Sequence, residues 1–135
     1  MAHWLLKSEP DVWGWDAQVK AGRTGTPWTG VRNFTARNNM RAMKKGDLAF
    51  FYHTGEEKQI VGIVEVVKEV HPDPDDPAWE CVDVRAVEPL KRPVTLAEVK
   101  AEKKLADMAL VRLSRLSVQP VTDAEWALVR KMGGL

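Results

Sequence analysis

A single cysteine, Cys81, rules out an intramolecular disulfide, and a chain of 135 residues can bury a core without one. No apolar run approaches the roughly 20 residues needed to cross a bilayer. The opening "MAHWLLKSEP" lacks the basic-then-apolar pattern of a secretory leader. A cytoplasmic protein with no membrane contact is expected, a monomer by default. Charge of one sign is also missing: 20 Lys and Arg face 19 Asp and Glu, a net of +1. Bulk electrostatic capture of nucleic acid is therefore excluded, and such a partner would have to be met by a local patch and a shaped pocket.

The familiar catalytic parts are absent too. There is no C-x-x-C or H-E-x-x-H, and three histidines with one cysteine are too few and too scattered for zinc, so no metal is expected. No G-x-x-x-x-G-K-[ST], G-x-G-x-x-G or G-x-S-x-G occurs, so neither a nucleotide cofactor nor a nucleophile elbow is called for. Cys81 falls inside a strand pattern, where an inert core thiol is expected. The carboxylates of "DPDD" (Asp73–Asp76) alternate with proline and read as a solvated acidic turn.

What the chain does have is tryptophan, six in all, each a large apolar face with one N–H donor. "HWLLK" reads as a strand ended by Pro10, and "VWGWDAQVKAG" as a short helix stopping at Gly22. "RTGTPWTG" is a loop. "NFTARNNMRAMKK" reads as a helix capped at its end by Gly46. "DLAFFYHT" and "QIVGIVEVVKEV" form a hairpin through "GEEK", and "HPDPDDPAW" is a loop. "ECVDVRAVEPL" is a third long strand, with Val82, Val84 and Ala86 on one face and Asp83, Arg85 and Val87 on the other. "TLAEVKAEKKLADMALV" reads as a helix, and "RLSVQPV" as a short extended piece. Thr95 with Glu98, and Thr122 with Glu125, make capping boxes. Strands and helices do not alternate regularly. The pattern implies one α+β domain over residues 1–135, with a curved, mostly antiparallel sheet.

The stretch "WTGVRNFTARNNMR" concentrates a Trp, three Arg and three Asn. At about 100° per residue, Ala36, Met40 and Met43 form an apolar stripe and Arg37, Arg41 and Lys44 a basic one. The basic stripe suits phosphate binding, although a solvated cationic face has the same pattern. Trp28, Arg32, Asn33 and Asn38 supply a flat ring, a donor fork and amides, the groups that stack on a base and read its edge.

Five motifs in order, "WLLKSEP", "GVRNFTARNNMRAMKKGD", "FFYHT", "IVGIVEVVKE" and "RLSVQPV", resemble the EVE domain family, a relative of the PUA and YTH folds. The resemblance covers essentially the whole chain. One departure is Thr29, where the family usually carries an acidic residue. The resemblance implies a PUA-like curved β-barrel with helices packed around it, and a binding pocket with no catalytic residue. It places Lys7, Ser8 and Glu9 on one wall of that pocket, and Trp28, Gly30, Val31, Arg32 and Asn33 on another, with Asn38 and Asn39 behind. Tyr52 and His53 close the strand side, and Ser117, Gln119 and Pro120 complete the rim. The partner implied is a nucleic acid, DNA or RNA, carrying a modified base such as methylated or hydroxymethylated cytosine or methyladenine. Two other functions fit the residues: a nucleotide- or nucleic-acid-processing enzyme with Glu9 or His53 as general base, and a module binding a free nucleoside.

Overall fold

The computed structural model describes residues 2–135. Its centre is one six-stranded sheet in the order β2-β5-β4-β3-β1-β6. β1 (His3–Ser8) runs parallel to β3 (Leu48–His53) and antiparallel to β6 (Val118–Val121). β3, β4 (Gln59–Pro72), β5 (Glu80–Thr95) and β2 (Thr26–Pro27) then pair antiparallel in turn. The domain is α+β and mostly antiparallel, and the hairpin through "GEEK" forms. The sheet is open, however, where the resemblance implies a curved β-barrel. Each edge strand carries a proline, Pro27 in β2 and Pro120 in β6, which offers no N–H to a further ladder. Among the described residues, no strand pairing joins the two edges.

Alternate residues of a strand point to opposite faces, and here both faces are covered. Trp4, Leu6, Ala49, Phe51, Val82 and Val84 meet Ala36, Met40 and Met43 on the α2 (Phe34–Ala42) side. Leu5, Phe50, Tyr52 and Ile63 meet residues of α3 (Leu96–Ala101), α4 (Ala109–Arg112) and α5 (Asp123–Met132) on the other. Both capping boxes form, at Thr95 and at Thr122. Ala36 and Met40 of α2 are core, as their spacing indicates, and Met43 is buried with them just beyond the helix end.

Two helix boundaries differ from the sequence reading. α2 stops at Ala42, and Met43 is already extended at φ −70° and ψ 140°. The buried Asp47 carboxylate accepts from the Lys44 amide at 3.0 Å and from the Trp4 indole at 3.1 Å, tying the chain back to β1. Gly46, at φ +95°, belongs to that turn and caps no helix. The long helix expected after Thr95 is broken into α3, a 3-10 turn at Lys103–Leu105, and α4. Six residues at about 100° each place Leu105 roughly 240° around from Val99. A straight helix would bury one and expose the other, whereas both are fully buried. The extended backbone of Glu102 resolves this, and its side chain caps the next turn through the Lys104 amide.

The short helix α1 (Trp15–Lys20) lies against the sheet where β4 has Gly62. A Cβ there would sit 2.5 Å from the Trp15 ring, so only glycine admits this packing. Gln18 is fully buried in α1; it donates to the Val84 carbonyl and accepts from the Trp13 indole N–H at 2.9 Å. Trp13 is thereby held in one orientation at the start of α1.

Candidate functional site

The chain leaves β1 at Ser8 and turns over Glu9, whose carbonyl accepts from the amides of Val12 and Trp13. The Ser8 hydroxyl donates to the Trp13 carbonyl, and Thr54 donates to the Glu9 carboxylate at 3.0 Å, so the turn is pinned from both sides. Opposite it run β2 and the residues up to Gly30. The Trp28 amide donates to the Val82 carbonyl, and the Gly30 amide donates to the Asp73 carboxylate at 3.0 Å. Gly30 adopts φ +85° with open space around it, so the glycine serves the turn and not a close approach.

Between these walls lies a cleft of about 500 Å³, lined by Lys7, Ser8, Glu9, Val12, Trp13, Thr26, Pro27, Trp28, Thr29, Gly30 and Asp75. That volume is within the usual range for a small-molecule site. Val12, 81% exposed, and the half-buried Trp13 give it an apolar rim. Burial lowers the pKa of Lys7, whose ammonium donates to the Ser114 carbonyl at 2.7 Å and lies 5.7 Å from the Tyr52 ring centre. Glu9 and Asp75 add carboxylates. The site can therefore take a flat, neutral ring that offers hydrogen-bond donors at its edge.

Of the residues placed at the site by resemblance, Lys7, Ser8, Glu9, Trp28 and Gly30 line the cleft. Trp28 is only 6% exposed and meets Phe51 edge-on at 5.4 Å, so it is a wall and not an open stacking face. Val31 is core. Arg32 is paired with Asp73 at 3.1 Å. Asn33 caps α2 through the Ala36 amide, outside the cleft lining. Asn38 is exposed and accepts from Arg37. Asn39 donates to the Val118 carbonyl and holds α2 on β6. Tyr52 is buried in the core of the opposite face, which raises its pKa. His53 lies outside the cleft: one ring nitrogen meets the Trp15 amide at 3.1 Å and the other the Glu57 carboxylate at 2.9 Å. Ser117 gives its carbonyl to the Lys7 amide, the buried Gln119 donates to the carbonyls of Leu113 and Leu116, and Pro120 is an exposed edge residue. On the basic stripe, Arg41 pairs with Glu80 at 2.5 Å, and Lys44 is exposed beyond the helix end.

Sequence reasoning missed Val12, Trp13, Thr26, Pro27 and Asp75. The one available signal was a Trp three residues after "KSEP", and helix periodicity absorbed it. Asp73 was misjudged as well. It is not a solvated turn residue but fully buried, accepting from the amides of Gly30 and Asp75 and from Arg32. Burial alone would raise its pKa; the hydrogen bonds from Gly30, Asp75 and Arg32, with the Arg32 charge, outweigh that and hold it low. Nor are the metal-ligating residues all scattered: His71, Cys81 and Asp83 come together across β4 and β5, their ligand atoms within 4.8 Å of one another. Burial and the nearby carboxylates of Asp73 and Asp83 push the Cys81 thiol up to about 11, which keeps it protonated near neutral pH. It would have to lose that proton to bind a metal.

The EVE domain family model matches residues 2–132. The chain belongs to the EVE domain family. Human thymocyte nuclear protein 1 is 38% identical over an alignment spanning 95% of this chain and 72% of the human one. Among solved structures, a protein from Agrobacterium tumefaciens is 55% identical with a TM-score of 0.97, covering 100% of this chain and 94% of that one. Human THYN1, solved in complex with DNA containing 5-methylcytosine, is 35% identical with a TM-score of 0.90, covering 100% of this chain and 99% of that one. The EVE fold of this chain is thus shared with a protein whose structure includes a modified base in DNA.

Proposed function

We propose that this EVE domain is a non-enzymatic module that holds a modified base of a nucleic acid in the Trp13–Trp28 cleft, with 5-methylcytosine in DNA as its first candidate ligand. The observation that carries this reading is the cleft: two tryptophans and exposed Val12 beside two carboxylates and a half-buried lysine. The human relative solved with 5-methylcytosine DNA supports it. A flipped or unpaired cytosine would stack on Trp13, and its amino group would donate to Glu9 or Asp75, the usual carboxylate partner of cytosine N4. The 5-methyl group would meet the apolar rim.

The competing reading of an enzyme with His53 as general base is disfavoured by geometry. Both of its ring nitrogens are engaged, and it lies outside the cleft lining.

Titration of matched oligonucleotides against wild type and Trp13→Ala tests the proposal. Base stacking is worth about 1–3 kcal/mol, so Trp13→Ala is expected to weaken binding about five- to 150-fold. A buried methyl contributes roughly 0.8 kcal/mol, a preference of about fourfold for the methylated strand. Equal affinity of both proteins for both strands would overturn the reading.

A further inference from the structure

The cleft leaves one feature of the chain unexplained. Phe34, the first residue of α2, is 65% exposed, and it stacks on Trp79 with ring centres 5.2 Å apart and planes 27° apart. The Arg37 guanidinium, one turn along the same helix face, lies 4.9 Å from the Phe34 ring and 6.0 Å from Trp79. These three separations are nearly equal. If Arg37 and Trp79 covered opposite faces of Phe34, their separation would approach the sum of the other two. They therefore do not cover opposite faces of the ring, and Phe34 stays largely exposed. Arg37 has no carboxylate within ion-pairing distance among the described residues, and its Nε is buried without a partner. Arg32 lies 5.9 Å from the Trp79 ring, held by its ion pair with Asp73.

This cationic aromatic surface adjoins the cleft through two short pieces of chain. Asp73 binds both Gly30 of the cleft wall and Arg32 of the aromatic surface. The loop from Asp73 carries Asp75 into the cleft and Trp79 into the stack. The cleft itself has carboxylates at Glu9 and Asp75, a poor setting for a phosphate. A strand whose base entered the cleft would need its phosphates and its next base received elsewhere, and this surface supplies an exposed ring and a guanidinium with no carboxylate partner. The occupant argued for is thus the adjacent nucleotide of the same strand.

Building on the cleft reading, we propose that the Phe34–Trp79 stack with Arg37 is a second nucleotide site: Phe34 stacks on the base next to the one in the cleft, and Arg37 binds the phosphate between them. The test is a two-by-two comparison of wild type and Phe34→Ala against a single strand containing 5-methylcytosine, with the flanking nucleotides intact or made abasic in turn on the 5′ and 3′ sides. Loss of the flanking base on one side is expected to weaken wild type about five- to 150-fold and Phe34→Ala hardly at all. Phe34→Ala should weaken methylated and unmethylated strands by the same factor, whereas Trp13→Ala should narrow their ratio. Arg37→Gln should reduce the salt slope by about one. An abasic penalty that is the same in both proteins on both sides overturns this site, even if Trp13→Ala still loses binding and the cleft reading stands. Wild type that binds no strand overturns both. A Phe34 that merely pinned the Asp73–Trp79 loop would lower affinity without this dependence on the neighbouring base.

Discussion

The stretches Lys7–Trp13 and Trp28–Arg41 meet at the same cleft and are both rich in polar and aromatic groups, yet they use those groups differently. In the second, four side chains are tied into the fold away from the cleft: Arg32 to Asp73, Asn33 to the Ala36 amide, Asn39 to Val118 and Arg41 to Glu80. In the first, Lys7, Ser8, Glu9 and Trp13 are hydrogen-bonded as well, to Ser114, the Trp13 carbonyl, Thr54 and Gln18, yet all four line the cleft. Polar density along a sequence thus marks either a binding surface or the scaffold that shapes one. Only the position of each group relative to the cleft tells which.

Asp73 is where this contrast can be broken most sharply, because it joins the scaffold to the cleft. Removing one member of a buried charged pair costs about 3–5 kcal/mol. Asp73→Ala should approach the lower figure in chemical denaturation and should also weaken oligonucleotide binding, since the Gly30 turn loses its acceptor. The pH dependence has a definite sign. The folded pKa of Asp73 lies below its unfolded value, so its stabilisation is complete above about pH 5 and is lost as the pH falls through the folded pKa. Asp73→Asn should flatten the acid limb of a stability–pH curve. An unchanged limb would show that the carboxylate is not what holds this loop.

Asn33 gives a smaller and cleaner separation. As the N-cap of α2 it should contribute about 1 kcal/mol, so Asn33→Ala should lower Tm by about 4 °C. It should leave the ratio of methylated to unmethylated binding unchanged, because its side chain faces the α2 amides. A loss of that ratio with no loss of stability would return Asn33 to the base-reading role that its position in the sequence suggests.

Most of the fold was legible because it rests on local patterns. The alternation in β5, the T-x-x-E capping boxes and the Ala36–Met40–Met43 stripe each follow from spacing alone. The break after Ala101 was not visible, since helix propensity runs unbroken there and only the shared burial of Val99 and Leu105 demands it. The open sheet depends on two edge prolines whose strands become neighbours of solvent only in three dimensions. For the site, family motifs pointed to Lys7, Ser8, Glu9, Trp28 and Gly30, which line the cleft. They could not show that Trp28 is turned edge-on into the core while Trp13, anchored by Gln18, lines the cleft. Asp73 looked like one of several solvent-facing carboxylates because two of its partners, Gly30 and Arg32, lie more than 40 residues away in sequence.

The least expected energy change, and the most discriminating for the basic stripe, belongs to Arg41. Its ion pair with Glu80 is half exposed, so breaking it should cost no more than about 1 kcal/mol. Each phosphate contact of a single strand contributes about 0.7 to the salt slope of binding. If Glu80 keeps Arg41 from the strand, Arg41→Gln leaves that slope as it was, whereas Arg37→Gln reduces it. The pair Arg41→Gln and Glu80→Gln tests the point from both sides. Freeing Arg41 by Glu80→Gln should steepen the slope if the helix edge lies along the strand, and leave it flat if the strand turns away after Phe34. Equal slopes for all three single variants would mean that phosphates do not touch α2, and the contrast between its engaged and free cations would then concern stability alone.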